Sequence, residues 1–229
     1  MNILVVAAHP DDEVLGCGGA IARHVENGDQ VHVLILAEGL TSRDDIRKRK
    51  RRQTELSELA QSAKQANMLL GVKSLVLRSF PDNRMDSLDL LDIVKVIENI
   101  ITEYQAQIVY THHSGDVNID HQIAHKAVVT ACRPFPGQSI RRLLFFEVPS
   151  STEWQATGLA SSFCPNWYVD VSDTLENKLR ALRLYSSEMR AWPHSRSLEA
   201  VEHLARWRGA CIGVQAAEAF ILGRNIEAR

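Results

Sequence analysis

Short apolar runs that stop abruptly at polar residues alternate along this chain with longer stretches whose apolar positions recur every three or four residues. The first run, Ile3-Leu4-Val5-Val6-Ala7-Ala8, is apolar throughout and β-branched at Ile3, Val5 and Val6. A strand that is apolar on both faces is one buried under cover on both sides. Val31–Ala37, Ser74–Leu77, Gln107–Tyr110 and Arg142–Phe146 repeat that signature with one polar residue each. Between them, Val14–Glu26, Arg47–Leu70, Leu88–Tyr104 and Asp120–Cys132 space their apolar residues as helices do, and Gly28 and Gly71 stand where two of these helices should end. Strand, helix and strand within about 35 residues make a βαβ unit, parallel and with a right-handed crossover. Further on, the pattern predicts a shorter strand at Asn166–Asp170, helices at Leu175–Met189 and Leu198–Arg208, and a last strand or helix at Ala217–Leu222. The fold expected is α/β, an open parallel sheet with helices on both faces in three layers. With no repeat, linker or low-complexity tract, one domain over residues 1–229 is expected.

Composition narrows the function without naming it. Hydrophobic residues are 45% of the chain, charged residues 24%, and the net charge is −2, so no overall field attracts nucleic acid or an anionic membrane. Arg47-Lys48-Arg49-Lys50-Arg51-Arg52 is a local exception. Preceded by Asp44 and Asp45, it reads better as the solvated start of a helix than as a patch for polyanions. Cys17, Cys132, Cys164 and Cys211 form no C-x-x-C pair, which argues against a disulfide framework and a thiolate zinc cage. Cys17, among glycines, reads as a small buried residue. No segment approaches the ~18–20 apolar residues of a membrane span, and no secretory leader pattern is visible. A cytoplasmic protein is therefore expected. The oligomeric state is not legible, and a homo-oligomer is compatible with the sequence.

The candidate chemistry sits where the first strand stops. His9-Pro10-Asp11-Asp12-Glu13 places an imidazole and three carboxylates at the carboxyl end of a buried strand. Acids also cap helix N-termini, and one of them can do so here. The whole set would repel itself and lose hydration unless a cation sat among its members. Asp120-His121 opens the helix after the fourth strand. If strands one and four are neighbours at the switch point, the two clusters face each other across a crevice. His9, Asp12 and His121 then offer two imidazoles and one carboxylate with a position left open, the ligand set of a catalytic zinc, although Fe²⁺ or another divalent ion also suits it. His112, His113 and His125 are rival ligands. Arg43 follows the second strand, at the same sheet edge, as a substrate contact or as a partner for Glu38 or Asp44. Gly16, Gly18 and Gly19 do not have the spacing of a dinucleotide fingerprint, and the acids before them would repel a pyrophosphate.

Ala8-His9-Pro10-Asp11-Asp12-Glu13, together with Asp120-His121, resembles the zinc-dependent N-deacetylases called PIG-L or LmbE-like. The likeness extends to Glu38-Gly39, Pro81-Asp82-Asn83 and Ser187-Glu188-Met189-Arg190. It implies a Rossmann-like fold, zinc held by His9, Asp12 and His121, Asp11 as general base, and N-acetylated amino sugars or their conjugates as substrates. Many members carry His-Pro-Asp-His where this chain has Asn118-Ile119-Asp120-His121. Asn118 thus takes the place of an oxyanion-stabilising imidazole that the aspartate, here Asp120, orients. An amide can donate a hydrogen bond there but cannot carry a proton. For the sugar, Arg43, Asp82, Asn83, Arg84, Arg190 and His194 offer forked donors and polar acceptors suited to vicinal hydroxyls, and Trp154, Trp167 and Trp192 offer a stacking face. The alternatives are an amidase or esterase for a non-sugar substrate, and a non-catalytic metal-retaining binding protein of the same fold.

Overall fold

The computed structural model describes residues 1–156, 158 and 160–227. Seven strands form one sheet: β1 (Asn2–Ala7), β2 (Gln30–Ala37), β3 (Ser74–Phe80), β4 (Ile108–His112), β5 (Arg142–Phe146), β6 (Trp167–Asp170) and β7 (Ala217–Asn225). Their order across the sheet is β3-β2-β1-β4-β5-β7-β6. The first five are parallel, whereas β7 runs antiparallel to both β5 and β6. The predicted parallel sheet therefore carries an antiparallel edge, and the last segment, open between strand and helix, is a strand.

The helices are α1 (Asp12–Glu26), α2 (Gln53–Leu69), α3 (Leu90–Tyr104), α4 (Ile119–Ala131), α5 (Leu175–Leu184) and α6 (Leu198–Ala210). Alternation along β1 splits the core in two. Ile3, Val5 and Ala7 pack in one cluster with α1, α2, α5 and α6; Leu4, Val6 and Ala8 pack in the other with α3 and α4. Each of the Ile, Leu and Val side chains, fully buried, contributes about 1.5–3 kcal/mol. That exceeds or matches the ~1–2 kcal/mol of backbone entropy lost per residue, so the end of β1 is a firm platform for polar groups.

Two boundaries depart from the sequence pattern for identifiable reasons. The helix expected from Arg47 begins only at Gln53. Glu38 draws Arg47 and Arg49 onto its carboxylate, and Asp44 takes Arg52 at 2.7 and 2.9 Å. The basic run is thus a turn segment partly neutralised by acids, not the first turns of a helix that would stack like charges. The helix expected to reach Met189 stops at Leu184. Beyond it, the Tyr185 hydroxyl donates to Glu13 at 2.5 Å and Glu188 accepts from Arg43. The chain leaves its helix to bring both side chains toward the end of β1.

Candidate functional site

β1 lies between β2 and β4, and the chain passes from β1 outward to β3 before returning to β4 on the other side. Crevices at such switch points, outside the carboxyl ends of the strands, are where open α/β sheets bind ligands. The expected meeting of the two polar clusters takes place here. Ala8 N–H donates to His112 Nε2 at 2.8 Å, tying the end of β1 to the end of β4. Asp11 is the N-cap residue of α1 at φ 112°, a conformation costing a non-glycine residue of order 1–3 kcal/mol. It is held there by Glu13, which accepts its N–H at 3.1 Å, and by Arg196, whose Nη1 reaches Asp11 Oδ2 at 3.2 Å.

Three imidazoles converge on one carboxylate oxygen. Asp12 Oδ2 lies 3.2 Å from His9 Nδ1, 3.1 Å from His121 Nε2 and 3.6 Å from His112 Nε2. The outer nitrogens of two of these rings meet further acids. His121 Nδ1 is 3.1 Å from Asp116 Oδ2, and His9 Nε2 is 3.0 Å from Asp120 Oδ2 and 3.3 Å from Asp82 Oδ1. Asp116 is itself fixed by the Thr152 hydroxyl at 2.7 Å, by the Ser151 hydroxyl, and by Asn118 N–H at 2.8 Å. Asp120 accepts from the N–H groups of Asn83 and Met85 at 2.7 and 2.9 Å, so it pins the loop after β3 beneath His9.

Electrostatics follow from burial and these pairings. Burial alone would raise Asp12, but His121 and His9 hold it well below the usual carboxylate range. Burial would lower His121, yet Asp12 and Asp116 lift it to about 9, and the same His121 contact brings Asp116 down to about 2 against its own burial. His9 is likewise raised by Asp12 and Asp120 in spite of burial. His112 is pushed well below its ordinary value, first by burial and then by its cationic neighbour His121. Asp11 differs from Asp12: burial raises it well above the usual range, with Arg196 opposing and the neighbouring acids adding to the rise.

His9, Asp12 and His121 bring one ligand atom each within 4.8 Å of one another, as do His9, Asp82 and Asp120. The first set fits a divalent ion better. With Nδ1 of His121 donating to Asp116, its Nε2 presents a lone pair to the Asp12 carboxylate, and two acceptors that close are reconciled only by a proton or a cation. In the second set the Asp120 oxygens already accept backbone N–H groups. The rival histidines are engaged elsewhere: His112 Nε2 with Ala8 N–H, His113 Nε2 with the Ser161 carbonyl at 2.8 Å, His125 Nδ1 with the His112 carbonyl at 2.9 Å.

A cleft of about 170 Å³ opens over this cluster, lined among others by Asp11, Arg43, Asp82, Asn83, Asn118, Glu188 and Arg196. Arg43 pairs with neither Glu38 nor Asp44 but with Glu188, at 2.9 and 3.1 Å. Asn118 caps α4, its side-chain oxygen accepting Asp120 N–H at 2.9 Å, and the residue also lines the cleft. Asp120 stands behind His9 rather than in the lining. Among the described residues the lining takes in neither Arg190, whose Nη1 bonds the Ser187 and Met189 carbonyls, nor His194, whose Nδ1 accepts Arg196 N–H at 3.0 Å. Trp154 lies beside His194 and Trp192 beside His203, while Trp167 lies against Arg142 on β6, three strands from β4. The three indoles therefore do not share one face.

Sequence reasoning missed Asp116 and Arg196. Asp116 had a local signal, an acid shortly before His121 in the same polar element. Arg196, 185 residues from Asp11, had none.

Known proteins resemble this chain along most of its length. An uncharacterised deacetylase of Escherichia coli K12, YaiS, is 29% identical over 192 residues, spanning 81% of this chain and 91% of that protein. Diacetylchitobiose deacetylase of Thermococcus kodakarensis is 27% identical over 194 residues, spanning 82% and 70% respectively. Among solved structures, GalB, the 4-carboxy-2-hydroxymuconate hydratase of Pseudomonas putida KT2440, superposes with a TM-score of 0.73 at 22% identity, covering 100% of this chain and 98% of its own; the fold alone thus hosts more than one reaction. No described helix is long and apolar enough to cross a membrane. Residues 4–132 match the PIG-L family, described as GlcNAc-PI de-N-acetylase, and the chain belongs to that family of deacetylases.

Proposed function

We propose that the chain removes the N-acetyl group of an amino sugar or its conjugate by metal-assisted hydrolysis, releasing acetate and a primary amine. The observation that carries this reading is the convergence of His9, Asp12 and His121 beside a fourth group, Asp11, that is not drawn into the ligand set. A divalent ion, zinc by preference, held by those three residues supplies Lewis acidity, which acidifies water and polarises a carbonyl.

The chain's own residues do the rest. Asp11, buried in the cleft and raised above the ordinary carboxylate range, takes a proton from the attacking water and returns it to the departing nitrogen. An amide is a poor leaving group, so this return is as necessary as the attack. Arg196 keeps the Asp11 carboxylate aimed. The amide of Asn118 donates to the developing oxyanion, a contact typically worth ~3–4 kcal/mol. Asp116 and Asp120 hold His121 and His9 in their tautomers and orientations. Arg43, Asp82 and Asn83 present a polar wall suited to sugar hydroxyls, and the acceptor's remaining part extends toward the cleft mouth.

Acetate release across N-acetylhexosamines, their conjugates and N-acetyl amino acids, with and without chelator, tests the reading. Chelator-sensitive release from the sugars is expected. Release confined to the amino acids would overturn the sugar assignment, and release indifferent to chelator would overturn the metal.

A further inference from the structure

α1 is not one helix. Cys17, at φ −149° and ψ 26°, interrupts it, leaving a short first piece that carries Asp12 and Glu13 and a longer second piece that runs to Glu26. A break in a buried helix frees N–H and C=O groups that must find partners. Here both kinds are met by one ion pair from the far end of the chain. Glu218 of β7 accepts Gly19 N–H at 3.0 Å and Ala20 N–H at 2.7 Å. Lys178 of α5 donates to the Leu15 carbonyl at 2.8 Å and to Glu218 at 2.6 Å. Thr174 adds a bond from its hydroxyl to the Gly19 carbonyl at 2.9 Å. Lys178 and Glu218 are 4% and 5% exposed, so neither charge is there for solubility. A buried pair of this kind gives little net stability compared with apolar side chains of the same shape. The glycines make room for it: a side chain at Gly19 would press on Val171 and on the Glu218 carboxylate.

We propose that the Lys178–Glu218 pair is a positioning device that fixes the broken helix and thereby the Asp11–Asp12 turn. From the other side Glu13 clamps the same turn, accepting from Asn67 Nδ2 at 2.8 Å, from Tyr185 and from Asp11 N–H. A continuous helix through Cys17 would rotate the first turn about the axis of the second piece, taking Asp12 out of register with His9 and His121. Lys178 and Glu218 are thus positioning residues: they touch neither ligand atoms nor cleft, and they act through backbone. This inference rests on the metal-assisted reading above.

The test uses the full chain as Lys178→Met, Glu218→Gln and the milder Thr174→Val. Zinc affinity is measured by chelator competition, amide exchange over residues 11–16 by mass spectrometry, and kcat and KM on whichever acetylated substrate the wild type accepts. Zinc affinity is expected to fall about tenfold or more for the first two variants, by analogy with removal of groups that orient metal ligands, with faster exchange over 11–16 and with the loss in kcat rather than KM. Thr174→Val buries no unpaired charge and is expected to show the same pattern at about threefold. Folded variants that melt lower yet bind zinc and exchange as the wild type does would reduce the pair to a structural role and overturn the proposal. If the two charge variants fail to fold, an unchanged zinc affinity in Thr174→Val overturns it equally. A wild type that takes up no zinc would instead remove the metal reading on which the inference stands, a distinct result.

Discussion

Asp116 separates the parts played by ligands and by their supports. It does not reach the proposed ion, yet it fixes which nitrogen of His121 faces Asp12. Asp116→Asn should lower zinc affinity by about 10- to 100-fold without abolishing it, the usual cost of a lost orienting carboxylate, whereas His121→Ala should leave no binding at micromolar ion. Chelator competition on both variants checks this, and equal losses would place Asp116 among the ligands. Asp11→Asn should retain the metal and lower kcat by about 10²–10⁴, the range of general acid–base catalysis; full activity would sink the base assignment. Asn118 has two tasks on its two side-chain atoms: the oxygen caps α4, and the nitrogen is the proposed oxyanion donor in the cleft that Asn118 lines. Asn118→Asp keeps the cap and loses the donor, so kcat should fall about 10²–10³-fold with the melting temperature nearly unchanged. Asn118→Ala should lose both, adding about 1 kcal/mol of destabilisation. An Asn118→Asp enzyme with normal kcat would show that the oxyanion is held elsewhere.

At the scale of elements, the packing of α1 against β5 gives the sharpest test. A Cβ on Gly16 would collide with the Phe146 ring. Gly16→Ala should therefore destabilise by about 1–3 kcal/mol, as overpacked cores do, and Gly16→Ala with Phe146→Leu should recover part of it. Thermal melts of the two proteins decide. Those glycines were visible in the sequence, but their reason was not, because Phe146, Lys178 and Glu218 approach from segments more than a hundred residues away. The strands read well for the opposite reason: burial on both faces makes Ile3–Ala8 apolar at every position and Val31–Ala37 at all but His32, a signal that needs no partner to interpret. The clustering of His9, Asp12 and His121 was legible because His9 and Asp12 are neighbours on the chain and the switch point brings α4 to them. Arg196 and the Arg43–Glu188 pair were not legible as contacts, since a lone arginine carries no mark of which acid it will meet. The late start of α2 is not legible because a basic run preceded by Asp44 and Asp45 reads as the solvated first turns of a helix, while the pull of Glu38 on Arg47 is a tertiary contact.

For the whole molecule, the coupled site sets how stability varies with pH. His121 stands at about 9 against an ordinary 6.5, so in metal-free protein its contribution is complete below about pH 6.5 and is lost as the pH rises through 9. Asp116 stands at about 2 against 3.8, so its contribution is complete above about pH 3.8 and is lost as the pH falls through 2. The melting temperature of chelated protein should accordingly decline between pH 6.5 and 9. Saturating zinc, which binds His121 in its neutral form, should remove that decline. A chelated protein with a flat profile across that interval would contradict the coupling of His121 to Asp12 and Asp116.

The return of β7 into the sheet has a consequence for how the chain comes into being. His9 through Glu13 leave the ribosome well before Arg196 and Glu218, which hold that turn. At about 5–20 residues per second the interval is roughly 10–40 s. Through that time the acids at the end of β1 lack the arginine that faces Asp11, and the split in α1 has nothing to close it. The most recognisable stretch of the sequence is therefore held in place only after β7 has joined the sheet, and a nascent chain halted before residue 217 would display the motif without the carboxylate proposed to fix its helix.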